Sequence, residues 1–234
     1  MFTPRVLPRF THGSAVALWK SNVKITSLSA LRWKAARGFS LMELMVVVGL
    51  TGVVAAIAIP MMSNTLGTFR LSGDARGLSN AASLAKLRAA SDFSQSRLFV
   101  DLSTNSFYVQ TWQKTGVPAW VTEGGVKTLS TNVSFSFGVV ATPPANTQGD
   151  PIRQAPACVT DAGVAIANTA CALFNSRGIP VASAGAPPAV GAPTAADVIY
   201  LTDNTAVYAV TLSATGMIKL WRTLPNATPT WVLQ

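Results

Sequence analysis

Glu43 is the residue whose placement most demands an explanation in chemical terms. No Asp, Glu, Lys or Arg lies between Glu43 and Arg70, and the intervening residues are mostly aliphatic. An ionised side chain inside lipid costs about 2.5–3.5 kcal/mol on insertion scales. A carboxylate one residue inside the edge of such a run therefore needs a headgroup position or a positively charged partner. Cys158 and Cys171 are the only cysteines. Little else could act on a substrate. His12 is the only histidine and lies in the basic amino-terminal stretch, so residues 39–234 can assemble neither a Ser-His-Asp nor a Cys-His arrangement. Two cysteines without histidine make a poor zinc site, and neither common phosphate-binding glycine loop is present. Asp161, Asp197 and Asp203 fall at loop or strand-end positions and read as solvated turn aspartates. No catalytic residue, metal or cofactor is expected.

The run behind Glu43 is long enough to cross a bilayer, which takes about 20 apolar residues. Of the 234 residues, 18 are basic and 9 acidic, a net charge of +9. Seven of those basic residues (Arg5, Arg9, Lys20, Lys24, Arg32, Lys34 and Arg37) precede the run without any acid, which leaves 11 basic and 9 acidic residues after it. The excess is therefore no nucleic-acid signature. Lys and Arg ahead of an apolar helix hold that end in the cytoplasm, so the domain beyond is expected outside the membrane. Two cysteines in an exported domain most often pair, and a Cys158–Cys171 bond would close a short loop.

Arg37-Gly38-Phe39-Ser40-Leu41-Met42-Glu43-Leu44 resembles the processing site of type IV prepilins and type II secretion pseudopilins. The resemblance implies that a prepilin peptidase cuts after Gly38 and that the new amino-terminal residue, Phe39, is N-methylated. It makes Glu43 the fifth mature residue, where the family carries the glutamate used in assembly. It also assigns a helix kink to Pro60. On this reading residues 1–38 are a cleaved leader, 39–62 a transmembrane and assembly helix, 63–96 its soluble continuation, and 97–234 a β-rich globular domain. The fold class is α+β, a long helix packed on antiparallel sheet.

Within the helix, Leu78, Ala81, Ala82, Ala85, Ala89 and Phe93 fall on one face, with Leu84 and Leu87 elsewhere. After Arg97 the period becomes two. Residues 98–101 and 106–110 flank a turn at 102–105, a hairpin signal. Residues 127–129, 133–137 and 171–174 are further strand candidates. Residues 141–157 and 181–196 read as exposed connections rich in turn formers. Strands at 197–202, 206–212 and 217–222 form a meander. Phe174-Asn175-Ser176-Arg177-Gly178-Ile179-Pro180, followed by paired strands and a final strand led by Gly216, resembles the GspH/FimT branch of the pseudopilins, which supplies minor subunits.

The resemblance implies a filament subunit held in the bacterial inner membrane by a single pass, with its amino terminus cytoplasmic and its domain periplasmic, able to enter a pilus or pseudopilus. Its partners would be the prepilin peptidase, other pilin or pseudopilin subunits, the inner-membrane assembly platform and membrane lipid. Glu43 would neutralise the methylated amine of Phe39 on a neighbouring subunit. An alternative is DNA capture, as in FimT-type minor pilins with a Gly-Arg-x-Arg motif. The matching stretch here is Gly216-Met217-Ile218-Lys219, with both arginines missing. Arg177, Lys219 and Arg222 would have to supply the patch, and the near-neutral mature charge argues against nucleic acid as a partner. A tethered enzyme or substrate binder is the third reading, and the absent catalytic groups oppose it.

Overall fold

The computed structural model describes residues 38–234, and residues 1–37 of the expected leader lie outside them. The chain divides into two units between Thr51 and Gly52. Of the first, residues 38–51 are described, and they are exposed throughout. Its helix begins at Leu41, where α1 (Leu41–Ser91) starts. The helix assignment runs through Pro60 without interruption. A proline there has no N–H to give the carbonyl of Ala56, yet it does not end the helix.

The second unit packs the later turns of α1 against two antiparallel sheets. One holds β1 (Ser96–Asp101), β2 (Ser106–Gln113), β3 (Ala119–Thr128) and β4 (Thr169–Phe174) in the order β3-β2-β1-β4. A separate ribbon pairs β5 (Val181–Ser183) with β6 (Val190–Pro193). The other sheet is a meander of β7 (Val198–Thr202), β8 (Val207–Leu212), β9 (Ile218–Thr223) and β10 (Val232–Leu233). The architecture is α+β, as expected.

The helix can approach both sheets because its inner stripe is small. Leu71, Ala75, Leu78, Ala82, Ala85 and Ala89 recur at alternating spacings of four and three, which keeps one face inward, and all six are buried. They share a core with Leu98 and Val100 of β1, Phe107 of β2, Phe174 of β4 and Ile199, Leu201, Val210 and Leu212 of the meander. Phe93 does not join them. The helix stops at Ser91, five residues short of the expected end, and Phe93 adopts φ 48° and is 75% exposed. Ser94 N–H donates to the Ala89 carbonyl and Asp92 N–H to that of Arg88. This is a left-handed cap of the Schellman type, built without the usual glycine. Leu84 and Leu87 are exposed, as their position on the helix predicts.

β7 and β8 are buried on both faces. Residues 199, 201, 208, 210 and 212 face the helix side, while Val198, Tyr200, Val207 and Ala209 form a second cluster with Val140, Phe137, Ile152, Trp221 and Trp231. The 141–157 segment is thus no idle surface loop. The Gln154 side-chain amide serves as a strand partner for β7: its Nε2 donates to the Tyr200 carbonyl and its Oε1 accepts from Tyr200 N–H, at 3.0 and 2.9 Å. Ala155 N–H donates to the Val198 carbonyl. These bonds occupy backbone groups that an edge strand would otherwise leave open.

Three other expectations change. Residues 133–137 form only an isolated bridge, Ser134 with Thr202, because both Ser134 backbone groups are used there and the chain turns away. β3 begins at Ala119, eight residues before the expected start, as an exposed edge strand whose pattern lacks apolar alternation. The 181–196 connection contains the β5–β6 ribbon. The turns came out as read. Asp101 Oδ1 accepts from Ser103 and Thr104 between β1 and β2, and Asp203 Oδ1 from Thr205 and Ala206 between β7 and β8. Hydrogen bonds to the ionised form hold both carboxyls below the ordinary aspartate range.

Candidate assembly site

Ser40 starts α1. Its Oγ accepts from Glu43 N–H at 3.1 Å and its carbonyl from Leu44 N–H at 3.1 Å. Ser40 is therefore the N-cap, and Ser-Leu-Met-Glu has the spacing of a capping box. Glu43 stands in the first turn, where the helix dipole favours a negative charge. Its carboxylate has no ion pair among the described residues. Gly38 is exposed and Phe39 is 81% exposed, immediately before the cap.

Leu41–Ile59 is 19 residues long and none of it is buried. At about 1.5 Å per residue its length approaches the roughly 30 Å hydrocarbon core of a bilayer. An unburied aliphatic stretch of that length would be unstable in water, since each buried aliphatic side chain is worth about 1.5–3 kcal/mol relative to exposure. It must be covered by lipid or by other helices. Pro60 lies just past its end, inside the helix.

Cys158 and Cys171 are joined in a disulfide, the pairing expected from their number and export. Cys158 is buried, and Cys171 N–H donates to the Pro156 carbonyl. The loop they close is braced by Arg97, a residue the sequence did not single out. Arg97 Nη1 donates to the Val159 carbonyl, Nε donates to Gln110 Oε1 at 2.8 Å, and the guanidinium lies 4.0 Å from the Trp120 ring centroid. Burial pulls its pKa down to about 10. The local signal was a charged residue directly before the apolar run Leu98-Phe99-Val100 of the strand, a position that buries a charge only with partners.

Arg177, Lys219 and Arg222 do not form one patch. Arg177 is exposed on the turn after β4, where Asn175 Oδ1 accepts from Arg177 N–H and Ile179 N–H. Lys219 and Arg222 lie on β9 an odd number of residues apart, so they point to opposite faces of the sheet. Arg222 shares the side of Ile218 and Leu220, while Lys219 shares that of Trp221. The glycines on either side of this region do meet. Gly178 and Gly216 have φ 71° and 78°, and both pack on Lys86 of α1, whose Nζ donates to the Gly216 carbonyl at 2.9 Å. A Cβ on Gly216 would lie 2.7 Å from the Gly178 carbonyl oxygen. Asp197, read as a solvated turn aspartate, is instead 3% exposed at the head of β7, and burial raises its pKa to about 7.

The prokaryotic N-terminal methylation motif matches residues 33–59. That signal lies at the head of an apolar helix that continues into a helix packed on antiparallel sheets. Among solved structures, the minor pseudopilin EpsH from the Type 2 Secretion System of Vibrio cholerae is similar at 12% identity over 64% of this chain and 94% of that one, with a TM-score of 0.35. No curated protein matches the sequence.

Proposed function

We propose that the protein is a minor pilin or pseudopilin subunit of the GspH/FimT branch, structural rather than enzymatic, that enters a type IV pilus-like or type II secretion filament. The observation that carries this is the split character of α1. Its first 19 residues, largely apolar, are uncovered and lie within the matched methylation motif, while its later turns are built into a folded domain. In the inner membrane, lipid covers the uncovered stretch. In a filament, the helices of neighbouring subunits do so. The prepilin peptidase would cut after Gly38 and leave N-methyl-Phe39, and Ser40 would then cap a helix that begins at Leu41, two residues beyond the new terminus. The carboxylate of Glu43, without an ion-pair partner among the described residues, is available to the Phe39 amine of a neighbouring subunit. Two opposite charges in a low dielectric are tolerated far better together than alone. The contact of Gly178 with Gly216 supports the branch assignment, since Gly178 lies within one of the two stretches on which the resemblance rests and Gly216 leads the other.

Mass spectrometry of the amino-terminal peptide tests the processing. Methylated Phe39 is expected, and an intact leader in membranes containing the peptidase would refute it. Fractionation tests the role of Glu43. Glu43→Ala should remain in the membrane at normal abundance and be lost from sheared filaments. Unchanged incorporation would remove the pairing account. A DNA-capture reading gains nothing from the separated Lys219 and Arg222.

A further inference from the structure

The β5–β6 ribbon is held to the domain by little buried surface. From residue 181 to residue 193 only Val181 is buried, and such an element opens locally at low free energy. Its tip is closed by Ala189 N–H donating to the Ala186 carbonyl. Gln95 Nε2 supports the tip by donating to the Pro188 carbonyl. Gly163 lies so close beneath it that a Cβ there would run into Ala186 N and stand 2.5 Å from the Gly185 carbonyl carbon. Docking also carries a cost. Gln95 is 6% exposed, and its Oε1 is shielded with no hydrogen-bond partner among the described residues. Water would satisfy that oxygen once the ribbon lifts. Gly163 in turn belongs to the loop that the Cys158–Cys171 bond closes. Val159 bridges Ala165, Thr160 N–H donates to the Val164 carbonyl and Gly163 N–H to that of Thr160, so residues 159–165 form a small hairpin with Gly163 in its turn. The hairpin is tied to the first sheet by Arg97 Nη1 on the Val159 carbonyl and by Asp161 Oδ1, which accepts from Trp120 N–H at 3.3 Å. At its base Cys158 N–H donates to Thr169 Oγ1, and the disulfide joins it to β4.

We propose that the ribbon is a redox-latched strap: it docks on Gly163 while the Cys158–Cys171 bond holds the hairpin in place, and it lifts when that bond is reduced. Of the hairpin's ties only the disulfide is covalent, and removing it returns the freedom that loop closure withdrew. Gly163 has no side chain to follow a shift of the hairpin, so a small displacement ends its contact with Ala186. Cys171 is half-buried and Cys158 is 1% exposed, so exchange starts at Cys171. A thiolate of a dithiol reductant attacks Cys171 Sγ and expels the Cys158 thiolate, which takes up a proton. The second thiol of the reductant then displaces Cys171, leaving two protein thiols and a disulfide in the reductant. The reverse exchange, with a disulfide as the oxidant, docks the strap, so an oxidising compartment sets the docked form. The latch stands independently of the filament role.

Hydrogen–deuterium exchange of the full-length protein in detergent, read by mass spectrometry, tests this. Labelling times are kept short enough that β7–β8 peptides of the oxidised protein stay unlabelled. Uptake across residues 181–193 should quicken about tenfold or more when dithiothreitol reduces the bond. The double variant Cys158→Ser with Cys171→Ser should match the reduced protein and ignore the reductant. Gly163→Asn keeps the bond, and asparagine tolerates the positive φ of that position. Its Cβ meets Ala186, so it should release the ribbon to a similar degree without any reductant. Ala162→Asn, at the exposed neighbouring position, should behave as wild type. Unchanged ribbon uptake in either the reduced protein or Gly163→Asn would overturn the latch. Equal quickening across β7–β8 on reduction would show that the bond supports the whole domain rather than the strap, and would overturn it as well.

Discussion

Replacing Asp197 by Asn should remove a pH dependence that the fold imposes. Asp197 heads β7 beside the fully buried Val198, its carbonyl accepts from Leu212 N–H, and no hydrogen bond reaches its carboxyl among the described residues. Burial alone lifts the pKa from 3.8 to about 7. Between those values the folded protein holds a proton that the unfolded chain has released, so stability falls as pH rises through the window and levels off above it. At about 1.36 kcal/mol per unit, the full penalty is about 4 kcal/mol, of which about 2–3 kcal/mol accrues between pH 5 and pH 8. An asparagine cannot ionise, and its own burial cost is the same at every pH. The difference in stability between Asp197→Asn and wild type should therefore move by about 2–3 kcal/mol in the variant's favour from pH 5 to pH 8. Urea unfolding of both proteins in detergent, followed by tryptophan fluorescence at each pH, reads this directly. Parallel pH profiles for the two proteins would show that Asp197 is not the titrating group and that its carboxyl is solvated in solution.

The same unfolding assay checks four further variants. Gly216→Ala should cost about 2–3 kcal/mol, because its Cβ meets the Gly178 carbonyl oxygen at a positive φ. Gly178→Ala meets only the flexible side chain of Lys86 within 3.4 Å and should cost nearer 1 kcal/mol; equal effects would refute the packing described. Replacing Cys158 and Cys171 together by Ser should cost up to about 3 kcal/mol, the loop-closure value for residues 13 apart, and should make the protein insensitive to reductant. Phe93→Gly should raise the unfolding free energy by about 0.5–1 kcal/mol, since an exposed left-handed residue gives way to one that adopts that conformation freely.

What could be read from the chain follows how local each cause is. The alanine stripe of α1 is visible because four-and-three spacing is a property of one helix. The β1–β2 and β7–β8 hairpins are visible because Asp101 and Asp203 bring their own turn hydrogen bonds within three residues. The processing segment is equally local, with the cap, the carboxylate and the apolar run consecutive in sequence. The failures are long-range in origin. Asp197 looks like any turn aspartate until the segment before β4 folds over the meander and Ala155 pairs with Val198. β3 lacks apolar alternation because it is an edge strand with an exposed face, so pairing with β2 defines it rather than its own pattern. The helix end at Ser91 depends on a non-glycine residue accepting a positive φ, which no cap signal marked. Lys219 and Arg222 are a different case. Once 217–222 is read as a strand, their odd separation already assigns them to opposite faces, and that parity opposes the shared patch expected of them.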